Sequence, residues 1–475
     1  MMNNTWKRTI AGLAVLTMAL SAFTACGDNN ASSTKKSSSA VTAEDNDTES
    51  TTAAGKKSSS SLKAAQTSYK TNTSGVIDTA DMFSDRDLKQ TADTSDAEKI
   101  TVSDGKTIDI TDEGVYIISG SAENCTIKVD ADKEAKIQLV LDGVNIKNKD
   151  FPAIYVVSAD KVFVTAADSE NSLSVTGQFT ADGDTNTDAV IYSKDDLVLN
   201  GTGSLTISSK YGNGISCKDD LKVTGGTYDI TCAEDAVEAN DLIAVCGGDF
   251  TINTQKDGFH CENDEDDSLG SIYISDGSFE INADSDGVQG TAYVQIDGGT
   301  FDITASEGIE ATYVQINGGD ITIDASDDGI NASRKSSACD IVIEFNGGYT
   351  TITMGQGDTD GVDANGSIYV NGGTIDVTAQ MSSFDYDVTA EFNGGTIIVN
   401  GEEVDEIPQS MMGGPMSGHG GFGGFGGRPD GDFTPPEGFS DAESGATEKF
   451  SEGGDFGGRH GSRGDFGGFG GQSSV

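Results

Sequence analysis

Between about residues 220 and 400 the chain alternates apolar and polar residues in short runs such as YVQI, FDITA and DITI, and glycine closes most of them. Period-two alternation bounded by glycine predicts strands, and the helical spacing of apolar residues is missing from this region. The runs also repeat. Aligned on the second glycine of a Gly-Gly pair, the copies fall at Gly226, Gly248, Gly277, Gly299, Gly319, Gly348, Gly373 and Gly395, at intervals of 22, 29, 22, 20, 29, 25 and 22. A period near 22 with occasional insertions predicts a solenoid.

The columns of that alignment predict how the copies stack. Two residues past the marker stand Tyr228, Phe250, Phe279, Phe301, Ile321, Ile375 and Ile397, and two further on Ile230, Ile252, Ile281, Ile303, Ile323, Ile352, Val377 and Val399. Asp229, Thr251, Glu280, Asp302 and Thr322 lie between the two columns, facing water. Antiparallel hairpins also alternate, but they do not return the same residue type to the same place in each copy. The expected fold is therefore all-β, a parallel β-helix with neighbouring rungs about 4.8 Å apart. Less regular runs from Ile100 to Ser208, including IQLVLDGVNI and LVLNGTGSLTI, predict earlier coils and a cap for the open first edge.

Composition sharpens this picture. In 475 residues, 78 acids face 29 Lys and Arg, for a net charge of −49, with 62 glycines and 35% hydrophobic residues. That suits a thin repetitive core better than one large one. So negative a chain repels nucleic-acid phosphates and anionic lipid, which excludes nucleic-acid binding, and it attracts divalent cations. Lys7 and Arg8 precede the apolar run Ile10–Ala22, which is too short to span a bilayer and ends in Phe23-Thr24-Ala25-Cys26-Gly27. Small residues before a cysteine resemble a bacterial lipobox, in which Cys26 is lipidated and becomes the mature N-terminus; the alternative is an ordinary signal peptide and full secretion. The expected organisation is a signal segment over 1–25, a disordered tether over 26–95, the solenoid over 96–407 and a Gly/Phe-rich tail over 408–475. The protein is expected as a monomer outside the cell, touching the membrane only through its lipid. Cys217 and Cys261 share an inward column with Ala239, Gly290, Ala311, Ala332 and Ala364. Two rungs apart, they lie beyond disulfide reach, so the cysteines are expected free.

One column carries chemistry. Before each second strand an acid opens a short motif: Asp235-Ala-Val-Glu238, Asp257-Gly-Phe-His260, Asp286-Gly-Val-Gln289, Glu307-Gly-Ile-Glu310, Asp328-Gly-Ile-Asn331 and Asp360-Gly-Val-Asp363, with Asn213-Gly-Ile-Ser216 one coil earlier. Any single copy reads as a plain Asp-Gly turn with glycine at positive φ. Stacked, the acids and the residues three later should line one outward edge. Carboxylates 4.8 Å apart repel by roughly 3–4 kcal/mol per pair at an effective dielectric of 20, so such a column needs protons or cations. Calcium binds oxygen at about 2.3–2.6 Å, which lets one ion bridge successive coils. The expected calcium ligands are Asp235, Glu238, Asp257, Asp286, Glu307, Glu310, Asp328, Asn331, Asp360 and Asp363. His260 beside an inward Cys261 makes a poor zinc site. A second acidic run, Glu262–Asp267, reads equally as a cation loop or a solvated one. Outward tyrosines form a minor strip that suits sugar faces and equally suits plain β-formers: Tyr293 and Tyr313 align in adjacent coils, and Tyr273 and Tyr369 share a neighbouring position.

The stretch AVIYSKDDLVLNGTGSLTISSKYGNGISCKDDLKVTGGTYDIT, with the DGF/DGV and GGTFDIT copies after it, resembles bacterial surface proteins of the carbohydrate-binding domain-containing family over roughly residues 100–400. Lys194-Asp195-Asp196 and Lys218-Asp219-Asp220 carry the resemblance most specifically. It implies a right-handed parallel β-helix like that of polysaccharide lyases, calcium binding, and cellulose or acidic, pectin-like sugars as partners. Three functions follow: a non-catalytic polysaccharide-binding module, a calcium-dependent lyase or hydrolase, and a structural adhesin. A lyase needs a basic residue beside the metal, yet between Gly258 and Gly401 only Arg334 and Lys335 carry a full positive charge. Lys218, Lys222 and Lys256 are the other candidates. The binding module is the favoured reading.

Overall fold

The computed structural model describes residues 75–357 and 359–408. Cys26, most of the tether and nearly all of the Gly/Phe tail lie outside the described residues. Every regular element among those described is a strand. All strand pairings named are parallel except the last, where Glu402–Val404 folds back antiparallel onto Thr396–Val399. One sheet of 12 strands takes a single strand from each coil, so the described chain makes twelve coils. The other sheet, of 21 strands, takes the segments on either side of the Gly-Gly bend. The chain is thus a parallel β-solenoid.

Register follows the columns read from sequence. Tyr228, Phe250, Phe279, Phe301 and Ile321 are successive partners, and the aromatic rings stack at 5.0, 5.3 and 4.4 Å between centroids. Ile230, Ile252, Ile281, Ile303, Ile323 and Ile352 form the next buried column. Like-on-like stacking fixes register, because a one-residue slip would turn every isoleucine to solvent. Cys217, Ala239 and Cys261 are successive partners, and the six described cysteines are free.

The Gly-Gly pair is demanded by the bend. All eight marker glycines have positive φ, from 79° at Gly348 to 135° at Gly277, a conformation that a Cβ penalises. At Gly318, just before a marker, a Cβ would lie 2.3 Å from the Asp297 carbonyl oxygen of the previous coil. Asp-Gly glycines work differently from the expected turn: Gly258, Gly287, Gly308, Gly329 and Gly361 are not among the positive-φ residues. Space excludes a side chain there, since a Cβ on Gly308 would stand 2.4 Å from Gly329 O and 2.5 Å from Ile323 Cγ2.

Residues 98–209 form coils like the rest, and no separate cap covers them among the described residues. Glu98–Thr101 and Thr107–Ile110 pair on one side, with Gly114–Glu123 and Thr126–Asp130, so the first coil is itself the end of the stack. The end of the expected tether is ordered. Residues 75–90 lie along the outer face of the 21-stranded sheet as a strap. The N–H groups of Val76 and Ile77 donate to the side chains of Gln315 and Gln295, 3.1 and 2.8 Å away. Lys222 Nζ donates to Met82 O at 2.8 Å, Thr224 Oγ1 to Asp87 O at 2.6 Å, and Gln90 Nε2 to Thr224 O at 2.9 Å. Apolar residues Ile77, Met82 and Phe83 cover Tyr273 and Ala244.

Candidate metal centre and its acid rows

Two rows run side by side along the 12-stranded sheet. The first holds Asn213, Asp235, Asp257, Asp286, Glu307, Asp328 and Asp360 at the starts of their motifs. The second holds Ser216, Glu238, His260, Gln289, Glu310, Asn331, Asp363 and Asp385, each the register partner of the next. The expected stacking is therefore present, but the expected exposed ridge is not. Asp235, Asp257, Asp286, Glu310 and Asn331 are 3, 3, 5, 6 and 8% exposed. The cause lies in how they are bonded. In the first row each side chain accepts the N–H of the next coil's acid: Asp235 N on Asn213 Oδ1, Asp257 N on Asp235 Oδ1, Asp286 N on Asp257 Oδ1 and Asp360 N on Asp328 Oδ1, at 2.8–3.1 Å. This ladder pulls the carboxyls in against the sheet. It breaks at Glu307, whose N–H donates instead to Ser285 O at 3.3 Å.

Charge divides the rows into two halves. In the N-terminal half, protein cations neutralise the acids. Lys256 Nζ lies 2.8 Å and His260 Nδ1 3.1 Å from Asp235 Oδ2, and Lys218 Nζ lies 2.9 Å from Glu238 Oε1. Burial raises the Asp235 carboxyl, but His260 and Lys256 outweigh it and hold the group below its usual range. His260 is raised by Asp235 in spite of its own burial.

In the C-terminal half, Asp286, Glu307 and Glu310 each bring a carboxylate oxygen to within 4.8 Å of the other two. Their one ion pair among the described residues is Lys335 Nζ to Glu310 Oε2, at 2.7 Å. Neutral donors complete the cluster. The Gln289 amide donates to Asp286 and, at 2.8 Å, to Glu310; Asn331 Nδ2 donates to Glu307 Oε2 at 3.0 Å; and Ser333 Oγ donates to Glu310 Oε1 at 2.8 Å. Burial, followed by the charges of Asp257, Glu307 and Glu310, pushes Asp286 up to about 8. Burial and then Glu310 push Glu307 to about 7. Asp328 rises to about 6 and Asp363 to about 7, again chiefly by burial. Buried acids so placed either hold a proton or share a cation. Asn331 adds a further sign: its Oδ1 is buried and accepts from nothing, although buried polar atoms are normally bonded.

Other expected site residues separate. Tyr293 and Tyr313 are half-buried neighbours, 6.0 Å between centroids but tilted by 40°, so they form no flat platform. Tyr313 OH donates to Glu344 at 2.9 Å. Tyr369 is half-buried. Tyr273 is not available to a sugar: the strap covers it, leaving 7% exposed, and its OH donates to Asp297. In the Glu262–Asp267 run, Asp266 Oδ1 accepts from Ser268, and Asp267 Oδ2 accepts from Ser337 N of the later insertion. The sequence named Gln289 only as the last residue of its motif and Lys335 only as one of two basic residues in its stretch, and it did not name Ser333; the signal that would have brought Ser333 and Lys335 to the site was the 29-residue interval between Gly319 and Gly348.

A family model for carbohydrate-binding domain-containing proteins matches residues 104–361, more than half of the chain. The chain belongs to this family. A relative in Acetivibrio thermocellus, also described as a carbohydrate-binding domain-containing protein, is 39% identical over 126 residues, 26% of this chain and 44% of the relative. The chain thus spans under half of that relative's length. A solved structure described as the polysaccharide lyase-like protein from C. thermocellum, in a gadolinium derivative, is 24% identical, covers 66% of this chain and 99% of its own, and superposes with a TM-score of 0.37. In the two Lys-Asp-Asp stretches of this chain, Asp195 Oδ2 accepts Ala159 N at 3.1 Å, and burial with Asp196 pushes Asp219 up to about 6.

Proposed function

We propose that this chain is a non-catalytic polysaccharide-binding module, held at the cell surface by a lipid on Cys26, whose right-handed solenoid is stabilised by calcium. The hand is the one taken by about 98% of parallel strand–crossover–strand connections. The observation that carries the calcium reading is the Asp286–Glu307–Glu310 cluster, where two buried carboxylates and one half-buried one meet a single ammonium. An all-oxygen donor set suits calcium, and the flexible coordination of calcium tolerates the spacing of stacked coils better than the octahedron of magnesium. Asn331 Oδ1, Asp328, Asp360 and Asp363 continue the oxygen-rich row. Asp235, Glu238 and Asp257 already have His260, Lys256 or Lys218 as counter-charges, so calcium sits first in the C-terminal half.

Cellulose or acidic, pectin-like chains are the sugars, and Tyr293, Tyr313 and Tyr369 offer half-exposed rings for them. Catalysis by elimination would need a free base. Lys218 and Lys256, the lysines beside the N-terminal half of the rows, are held on carboxylates at 2.9 and 2.8 Å. Sedimenting the protein with cellulose and with polygalacturonate, with calcium and with chelator, tests the reading; the expected result is retention that chelator weakens. Loss of retention on both polymers would leave the adhesin reading. Steady growth of absorbance from an unsaturated uronate product would overturn the non-catalytic assignment.

A further inference from the structure

Two insertions stretch their coils to 29 residues; the second brings Ser333 and Lys335 onto Glu310, and the first meets the second. One, 262–270, follows Phe259–Cys261, and the other, 333–341, follows Ile330–Ala332. The strands Asp286–Gly290 and Glu307–Ala311 lie between them in register. The loops meet where Ser337 N donates to Asp267 Oδ2 at 2.8 Å. The backbone of the second loop is pinned, with the N–H groups of Lys335 and Ser336 donating to Thr312 Oγ1 at 3.0 and 2.8 Å. Only the Lys335 side chain is left to move, and it reaches Glu310 while 30% of it stays exposed.

A lysine carries a compact charge on a flexible stem. The ammonium engages one carboxylate of the three, whereas a divalent ion gains from all three at once. Beside such an ion the ammonium is repelled. The pinned loop nevertheless keeps it at the mouth of the site. The exchange also changes what can approach. Once ionised, three carboxylates against one ammonium leave two negative charges, and a divalent ion cancels them, so that an anionic polymer is no longer turned away there by a chain of net charge −49.

We propose that Lys335 is a displaceable counter-ion. Calcium entering between Asp286, Glu307 and Glu310 takes the oxygen that Lys335 holds, and the freed ammonium pairs with the carboxylate of an acidic sugar between the two insertions. This rests on the calcium and polysaccharide reading above and adds to it the residue that selects uronates.

The test uses the full chain, with calcium bound or chelated, in three forms: wild type, Lys335→Met and Lys335→Arg. Amine-reactive footprinting read by mass spectrometry reports Lys335 directly, and its labelling should rise several-fold when calcium is added to wild type. Calcium should strengthen polygalacturonate binding in wild type and Lys335→Arg. In Lys335→Met about tenfold of that gain should vanish, the worth of one charge-assisted hydrogen bond, while calorimetry still registers calcium. Thermal melts check that the Met variant is folded. Unchanged labelling with calcium bound, or a full calcium gain in Lys335→Met, overturns the exchange and leaves the calcium seat standing. Failure of calorimetry to register calcium on wild type refutes the seat itself, and the exchange with it.

Discussion

Removing divalent cations should make the solenoid lose stability as the pH rises, which is the reverse of ordinary acid denaturation. Asp286 is 5% exposed and titrates near 8 in the fold, against 3.8 for an ordinary aspartate. Between those values the folded chain binds more protons than the unfolded one, so stability falls with rising pH. The contribution is fully present below about pH 4 and is lost as pH climbs through 8. The whole shift is worth about 6 kcal/mol at 1.36 kcal/mol per unit. Glu307 and Asp257 lie close enough to share the proton, so about half of it, roughly 3 kcal/mol, should be expressed. Glu307, Asp328 and Asp363 are raised and act in the same direction. His260, also raised, loses its stabilising charge as pH rises. Asp235 is held low and matters only in acid. Calorimetric melts in chelator should therefore drop by roughly 5 °C from pH 5 to pH 8. Excess calcium should restore the loss and stabilise more at pH 8 than at pH 5. A melting temperature that is flat or rises with pH in chelator would refute the protonated-acid argument, and no gain from calcium at pH 8 would refute the cation half.

Three substitutions probe other links. Lys256→Met strips Asp235, 3% exposed, of an ammonium at 2.8 Å and should cost about 2–3 kcal/mol in urea unfolding, whether or not calcium is present. Gly308→Ala forces a Cβ to 2.4 Å from Gly329 O; the strain of about 2–3 kcal/mol should appear in the same urea assay, and an unchanged midpoint would mean that the coils are not in this register. Gln90→Ala removes the acceptor of Gly201 N at 2.9 Å and the donor to Thr224 O at 2.9 Å. That should cost about 1–2 kcal/mol and speed both proteolysis of the strap and hydrogen exchange at Gly201.

The coils were legible because a solenoid writes its geometry into its period. A residue 22 positions on is a spatial neighbour, so the Phe250–Phe279–Phe301 stack and the Cys217–Ala239–Cys261 column could be read directly. The positive φ of every marker glycine follows from the same logic. Features that break the period were not legible. The strap sits in a stretch of Ser, Thr and Asp whose few apolar residues, Ile77, Met82 and Phe83, show no alternation, and its contacts reach Gln315 across 239 positions. The acids' positions were correct and their burial was not, because period-two alternation sorts inside from outside but cannot register a ladder of side chain to N–H bonds such as Asp257 N to Asp235 Oδ1. Nor could it show Lys335, on an insertion, returning to Glu310.

Anomalous diffraction from crystals grown in millimolar calcium tests the central claim most directly. A calcium peak is expected about 2.3–2.6 Å from oxygens of Asp286, Glu307 and Glu310, with Lys335 swung off Glu310. An empty cluster at that calcium concentration, with Lys335 still seated 2.7 Å from Glu310, would contradict it.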